Sequence, residues 1–209
     1  MTASTIGILL GSAGIINHGI FEILQGNQPT NGFFIEAIGE SNRFWVHGTE
    51  GAFTIIPNFL ITGIAVVLVG IAIILWSVKY LQTRYGATVF LMLFILLTLV
   101  GGGLGFIILV LPTWAFATRI NKPLDWWRKS VSVPVRVSLS GFWIYALVIT
   151  SILWLVVMEL GIFGYFPGLN DPDAILNIVF VFLFSSVVMV CFTFICALAG
   201  DIEEQKALY

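Results

Sequence analysis

The stretch TIGILLGSAGIINHGIFEIL, residues 5–24, is apolar enough to cross a membrane, yet it carries two ionisable side chains, His18 and Glu22. Its small and polar residues recur every three or four positions, which places them on one stripe of a helix. The stripe consists of Gly7, Gly11, Gly14, His18 and Glu22. Small residues mark the face on which a membrane-spanning helix packs against its neighbours, so we expect His18 and Glu22 to point into the protein.

The composition of the whole chain indicates an integral membrane protein. Of its 209 residues, 59% are hydrophobic and 10% are charged, and several apolar runs are long enough to span a bilayer. We therefore predict one all-α membrane domain over residues 1–209, a polytopic helical bundle with four full spans and a re-entrant or short helical hairpin. No block of basic residues indicates nucleic-acid binding. Cys191 and Cys196 fall on different faces of one helix, as expected of buried small residues without a disulfide.

Five apolar segments define the predicted helices. They cover about residues 5–24, 53–78, 88–118, 139–160 and 173–199. The N-terminus lacks the positive region of a secretory signal, so we expect the first segment to be retained as a helix. The third segment is long for one straight span and short for two, and glycines interrupt it. These glycines are Gly101, Gly102, Gly103 and Gly105.

The placement of Lys and Arg favours a hairpin over residues 88–118, with a tilted single helix as the alternative. In a hairpin that enters and leaves on one side, every Lys and Arg except Arg43 lies on that side. Cytoplasmic loops are enriched in these residues, so we expect both termini in the cytoplasm and the protein in the cell membrane. For the first loop, residues 25–52, a short interfacial segment and a solvated loop are equally consistent with its mixture of aromatic and polar residues.

A basic and tryptophan-rich segment, RINKPLDWWRKSVSVPVRV over residues 119–137, is typical of the headgroup layer of an anionic membrane. The residues expected to contact anionic lipids are Arg119, Lys122, Trp126, Trp127, Arg128 and Lys129. Anchoring explains this pattern better than ligand recognition. The glycine-rich helix faces also allow packing on a second copy of the chain or on another membrane protein.

Several further polar residues fall at the depth of His18 in the predicted topology. We expect them to line an outward-facing polar cavity, or proton site, that comprises His18, Glu22, Glu50, Asn58, Glu159 and Asn177. Asn58 belongs to a polar stripe with Thr54 and Thr62 on the predicted second helix. For each of these residues a structural role, such as an interhelical hydrogen bond or exposure to solvent, is the alternative.

A metal site is a weaker hypothesis. His18, Glu22, His47 and Glu50 offer two imidazoles and two carboxylates, a set acceptable to zinc, but their spacing follows no recognised zinc motif. A bis-histidine haem is supported only by the presence of two histidines. The chain contains no Walker loop, dinucleotide fingerprint, G-x-S-x-G or Cys-x-x-Cys motif.

Three stretches of the chain carry a family resemblance: HGIFEILQGN at residues 18–27, GGGLG at 101–105 and TRINKPLDWW at 118–127. Together they resemble a group of uncharacterised prokaryotic multi-pass membrane proteins. The resemblance implies a membrane location and no particular chemistry.

Three functions agree with these observations. The first is a small transporter or ion-conducting protein with a protonatable site at His18 and Glu22. The second is an accessory protein that packs on other membrane components and tolerates neutral residues at both positions. The third is a metal-dependent membrane enzyme, which requires His18, Glu22, His47 and Glu50 to converge. We rank the first two above the enzyme.

Overall fold

The computed structural model describes residues 1–12, 14–120, 122 and 124–207, and it forms a helical membrane bundle. Within these residues, four helical stretches are long and apolar enough to cross a membrane. They are Thr2–Leu24, Phe59–Lys79, Val133–Phe163 and Pro172–Glu204. The prediction of an all-α bundle with four full spans is confirmed.

The first span consists of two helices, α1 (Thr2–Ser12) and α2 (Ile15–Leu24), where one continuous helix was predicted. Gly14, at the start of α2, has a φ of 71°, in the left-handed region that interrupts a helix. α2 packs tightly on the next span, because a Cβ atom on Gly19 would lie 2.7 Å from the carbonyl oxygen of Gly63. This close approach of the two backbones, at Gly19, therefore lies outside the predicted glycine stripe.

The second span, α3 (Phe59–Lys79), begins later than predicted. Asn58 is its N-cap, and the side-chain oxygen of Asn58 accepts a hydrogen bond from the Ile61 N–H at 3.2 Å. Residues 53–58 precede the helix because the first part of this segment forms a strand, β2 (Gly51–Thr54). A cap at Asn58 satisfies an N–H group that would otherwise be unpaired at the helix start.

A three-stranded antiparallel sheet joins two distant parts of the chain. The strands are β1 (Phe34–Glu36), β2 and β3 (Val100–Gly103), in the order β1-β2-β3. Ala52 of β2 pairs with Gly103 of β3, and Phe34 of β1 pairs with Phe53 of β2. The first loop thus contains β1, a short 3-10 turn at Glu40–Asn42 and the start of β2, none of which was predicted.

The last two spans, α7 (Val133–Phe163) and α8 (Pro172–Ala207), pack mainly on each other. They extend beyond the predicted segments 139–160 and 173–199 and follow a short helix, α6 (Asp125–Ser130). The amino group of Met1 lies 2.5 Å from Oδ1 of Asp201 in α8, and we call this end of the bundle the termini end. The opposite end, which carries the sheet, is the sheet end.

Residues 88–118 form a hairpin. Its arms are α4 (Gly86–Leu99) and α5 (Phe106–Ala117), and β3 is its tip. With 14 and 12 residues, the arms measure about 21 and 18 Å, too short for a hydrocarbon core of about 30 Å.

Both arms of the hairpin reach the termini end. The Gly86 carbonyl accepts a hydrogen bond from Trp76 near the end of α3, and the Phe116 ring of α5 stacks on Phe194 of α8 at 4.6 Å. The end of α3 lies beside α1, because a Cβ atom on Gly7 would meet the Val78 side chain at 3.1 Å. The hairpin is therefore the correct alternative, and the single crossing is excluded.

Candidate functional site

His18 on α2 lies at the centre of a line of ionisable side chains. Its Nδ1 atom is 3.5 Å from Oε2 of Glu50, and its Nε2 atom is 3.5 Å from Oε1 of Glu22. The Nε2 atom also lies 2.9 Å from the carbonyl oxygen of Gly101, in the tip of the hairpin. We call the three side chains the Glu50–His18–Glu22 array. Two elements position it, since α2 carries two of the side chains and the segment before β2 carries the third.

Glu22 is the most deeply buried member of the array. Its side chain has no exposed surface, and neither carboxylate oxygen has a hydrogen-bond partner among the residues that the structure describes. The carboxylate lies against Gly101, where an added Cβ atom would be 2.9 Å from Oε1. Gly101 has a φ of 117°, a conformation that favours glycine, so this position requires glycine on two grounds.

Glu50 is the accessible member of the array, with 35% of its side chain exposed. Its Oε1 atom accepts a hydrogen bond from the backbone N–H of Gly105 at 2.7 Å, at the first turn of α5. A carboxylate is favoured at a helix N-terminus, where N–H groups lack partners within the helix. Gly103 also lies close to this carboxylate, because an added Cβ atom there would be 2.5 Å from Glu50 Oε1 and would displace it. The predicted hairpin tip is thus packed between Glu50 and Glu22.

The hydrogen bonds indicate where protons are held. A carbonyl oxygen can only accept a hydrogen bond, so the contact with Gly101 assigns a proton to Nε2 of His18. The Nδ1 atom then faces the Glu50 carboxylate, and two acceptors attract each other only if one of them carries a proton. The contact between His18 and Glu50 is therefore favourable with one additional proton and unfavourable without it.

A cavity of about 240 Å³ opens beside the array, between α2, α5, α7 and α8. His18, Glu50, Asn17 and Thr49 form its polar end. The remaining wall is mainly apolar, and its aromatic residues are Phe21, Phe106 and Trp154. The Phe106 ring meets the His18 ring edge-on, with centroids 5.9 Å apart. The predicted polar cavity is therefore an apolar cavity with one polar end.

The other residues predicted for this site lie elsewhere. Asn58 caps α3 and donates to the side-chain oxygen of Asn27 at 2.7 Å. Glu159 and Asn177 are exposed on α7 and α8, and neither lines the cavity. Thr54 lies in β2, not on a helix, but its hydroxyl oxygen is 3.1 Å from that of Thr62. The predicted helical stripe of Thr54, Asn58 and Thr62 is wrong because residues 53–58 are not helical.

The four proposed metal ligands do not all converge, because His47 lies apart from His18, Glu22 and Glu50. His47 pairs with Asp173 at the start of α8, with 3.0 Å between Nε2 and Oδ1, and both side chains are partly or largely exposed. In the part of the chain that the structure describes, no group of three or more His, Cys, Asp or Glu side chains could hold a metal ion. The four-residue metal set is therefore wrong, because His47 belongs to a surface contact between the first loop and α8.

Two residues that line the cavity, Trp154 and Thr49, were not predicted from the sequence. Trp154 interrupts an apolar span and lines the cavity, and its indole N–H is buried without a hydrogen-bond partner in the described residues. A tryptophan in the middle of a span, away from the membrane interface where it is common, is the signal that could have identified this wall. The contribution of Thr49 has no such signal, since the strand that follows it was not predicted.

The termini end holds the residues of the basic segment. Arg119, Arg128 and Lys129 are exposed there, as is the indole of Trp126. Arg136 of the same segment is instead buried, and its Nε donates to Oε1 of Glu203 in α8 at 2.8 Å. Cys191 and Cys196 are free thiols. The chain matches no protein-family model, no curated protein and no solved structure.

Proposed function

We propose that this protein is a small proton-coupled transporter whose proton site is the Glu50–His18–Glu22 array. The observation that carries the proposal is Glu22, a fully buried carboxylate without a hydrogen-bond partner among the described residues, 3.5 Å from an imidazole. An ionised carboxylate in such surroundings costs much free energy, whereas a carboxyl group that exchanges a proton with its neighbour avoids that cost. Ionisable residues inside a membrane domain commonly mark proton or substrate pathways.

The order of the three side chains supports a route for protons. Glu50 is partly exposed, His18 is buried and Glu22 is fully buried, so accessibility falls along the array. Each step joins atoms 3.5 Å apart, within reach of a small rotation of the side chains. The tip of the hairpin lies against Glu22, and irregular backbone at membrane depth is typical of transporters, where it lines the substrate cavity.

We further propose that the protein lies in the cell membrane with both termini in the cytoplasm. The exposed Arg119, Lys122, Arg128 and Lys129, with Trp126 and Trp127, would then meet the anionic headgroups of the inner leaflet. Single cysteines test this orientation in a background without Cys191 and Cys196. Cysteines at the exposed Thr83 and Ser130 should react with an impermeant reagent only after permeabilisation, whereas one at Asn170 should react from outside. The opposite pattern would reverse the orientation.

Infrared difference spectroscopy tests the proton site directly. Spectra of the purified protein are compared between about pH 5 and 8, the range in which an unperturbed histidine titrates. We expect a carboxyl band that Glu22→Gln removes, because glutamine keeps the size of the side chain but has no proton to exchange. Glu159→Gln is the matched control, since Glu159 is an exposed carboxylate that lies outside the array.

The same spectra distinguish a transporter from an accessory protein. If the wild-type protein and Glu22→Gln give identical spectra over this range, Glu22 is not a proton site and the array has a structural role. If the carboxyl band is also lost in His18→Gln, the imidazole is needed for Glu22 to exchange its proton with solvent. If the band is retained in His18→Gln, the proton reaches Glu22 by a route that does not include His18.

A further inference from the structure

The charge of the cavity limits the chemistry of a ligand. Its polar end carries the Glu50 carboxylate and the His18 imidazole, and Glu22 lies behind His18. Among the described residues that line the cavity there is no Lys or Arg. Two carboxyl groups against one imidazole give the site a net negative charge when its groups are ionised. Such a site attracts cations and repels anions, and the low dielectric of the surroundings strengthens both effects.

The wall of the cavity limits the ligand further. Phe21, Phe106 and Trp154 provide aromatic surfaces close to the acidic end. Aromatic faces attract organic cations, most strongly those of tryptophan, and the rest of the wall is suited to an apolar body. A volume of about 240 Å³ is at the small end for a ligand site and matches a molecule with a single ring.

We propose that the cavity binds a lipophilic monovalent organic cation, with its ammonium group beside Glu50 and its apolar body between Phe21, Phe106 and Trp154. This inference rests on the proposed function and names its substrate class. A proton and the organic cation then compete for the same carboxylates, which is the coupling that an exchanger requires. The titratable groups that line this position are His18 of α2 and Glu50 of the segment before β2, and Glu22 of α2 lies behind His18. Among the described lining residues, α5, α7 and α8 contribute none.

Benzyltrimethylammonium is a suitable probe, because it combines one aromatic ring with a quaternary ammonium group that cannot lose its charge. Its binding to the purified full-length protein is measured by isothermal titration calorimetry. We expect binding at about pH 8 that weakens about tenfold or more at about pH 5, because protons taken up by the array reduce its negative charge. The anion 3-phenylpropionate, of similar size and apolar character, should not bind.

Two variants test which residues contact the bound cation. Glu50→Gln should weaken binding of benzyltrimethylammonium about tenfold or more, because it removes the charge nearest to the ammonium group. Glu40→Gln is the matched control, since Glu40 is an exposed carboxylate of the same loop that does not line the cavity. Trp154→Leu should weaken binding several-fold by removing an aromatic face while retaining an apolar wall.

The possible results separate the substrate class from the proton site. Equal binding of benzyltrimethylammonium and 3-phenylpropionate, or unchanged binding in a folded Glu50→Gln, would overturn the cation site. The pH dependence of the wild-type protein tests the same point without any variant. If the infrared band of Glu22 is present but the cation does not bind, the substrate class is wrong and the proton site stands. If the cation binds equally at both pH values and the band is absent, the coupling is wrong.

Discussion

Buried charges at the two ends of the bundle have very different surroundings. At the termini end, Arg136 is 2% exposed and donates hydrogen bonds to Glu203 and to the carbonyl oxygens of Arg128 and Val131. At the sheet end, Glu22 is 0% exposed, and within the described residues its carboxylate accepts no hydrogen bond. Native proteins pair nearly all their buried polar groups, so an exception calls for an explanation.

The difference indicates separate roles for the two ends. Arg136 donates hydrogen bonds to α8, to α6 and to the segment after α6, so it fixes how α6, α7 and α8 meet, and its removal takes a donor from each of its acceptors. The buried Glu22 carboxyl group accepts no hydrogen bond from the described residues and lies 3.5 Å from His18, so it holds the structure together less firmly, and its presence is better explained by the exchange of a proton. Four substitutions examine this contrast, from the largest expected change in stability to the smallest.

Arg136→Gln should cause the largest loss of stability. It removes a buried cation and leaves Glu203 and the Arg128 carbonyl without this donor, which we expect to lower the free energy of unfolding by about 3–5 kcal/mol. Thermal unfolding of the purified protein in detergent measures the change. Lys129→Gln is the control, because Lys129 is exposed in the same segment and should unfold like the wild type. If Arg136→Gln and Lys129→Gln are equally stable, the buried Arg136 stabilises the bundle no more than an exposed cation does. The proposed contrast between the two ends is then wrong.

Gly101→Ala should cause the next largest loss of stability. Alanine is strained at a φ of 117°, and its Cβ atom would collide with the side chains of Thr62 and Glu22, so we expect a loss of about 2–4 kcal/mol. Gly168→Ala separates the two causes, because Gly168 also has a positive φ, of 82°, but has no atom near an added Cβ. That control should lose only about 1 kcal/mol. If both variants lose the same amount, strain alone explains the effect and the close approach to Glu22 does not matter.

Glu22→Gln should leave stability unchanged or raise it by up to about 2 kcal/mol, since a neutral amide costs less to bury than a carboxylate that accepts no hydrogen bond from the described residues. Chemical unfolding monitored by tryptophan fluorescence, at a pH near 8, is the measurement. A large loss, comparable with that of Arg136→Gln, would show that Glu22 is structural. This result is independent of the infrared experiment, which reports on the proton and not on folding.

Asp173→Asn should have the smallest effect. The pair of Asp173 with His47 joins α8 to the first loop, but 82% of the Asp173 side chain is exposed, and exposed ion pairs contribute at most about 1 kcal/mol. The melting temperature should therefore stay within a few degrees of the wild type, in low and in high salt. A shift as large as that of Gly101→Ala would mean that this surface contact is a main attachment of α8.

Local patterns explain what was predictable. Residues four apart on a helix lie on one face, so His18 and Glu22 could be placed together and inside the protein from their spacing alone. The hairpin followed from charge placement and from the glycines at its tip. The spacing of residues acts within one helix, and the placement of charges acts on whole loops. The structure agrees with both predictions.

Long-range pairing explains what was not predictable. The strands of the sheet have three or four residues, too few for an alternating pattern, and β2 and β3 are separated by the whole of α3 and α4. Missing β2 placed Thr54 and Asn58 on a helix and left Glu50 without a position. The pairing of His47 with Asp173 depends on how α8 meets the first loop, and the aromatic wall of the cavity depends on how α2, α5 and α7 come together. No spacing within the chain encodes either arrangement.

The glycine tip also has a consequence for how the chain is assembled. Neither α4 nor α5 is long enough to cross a bilayer by itself, and β3 obtains its backbone partners from β2 and from His18. Unpaired backbone groups in lipid cost several kcal/mol each. The tip therefore has a stable place only after α2, β2 and α3 have come together around it. We expect the hairpin to be a late step of biogenesis, inserted into a partly built protein and not into bare lipid.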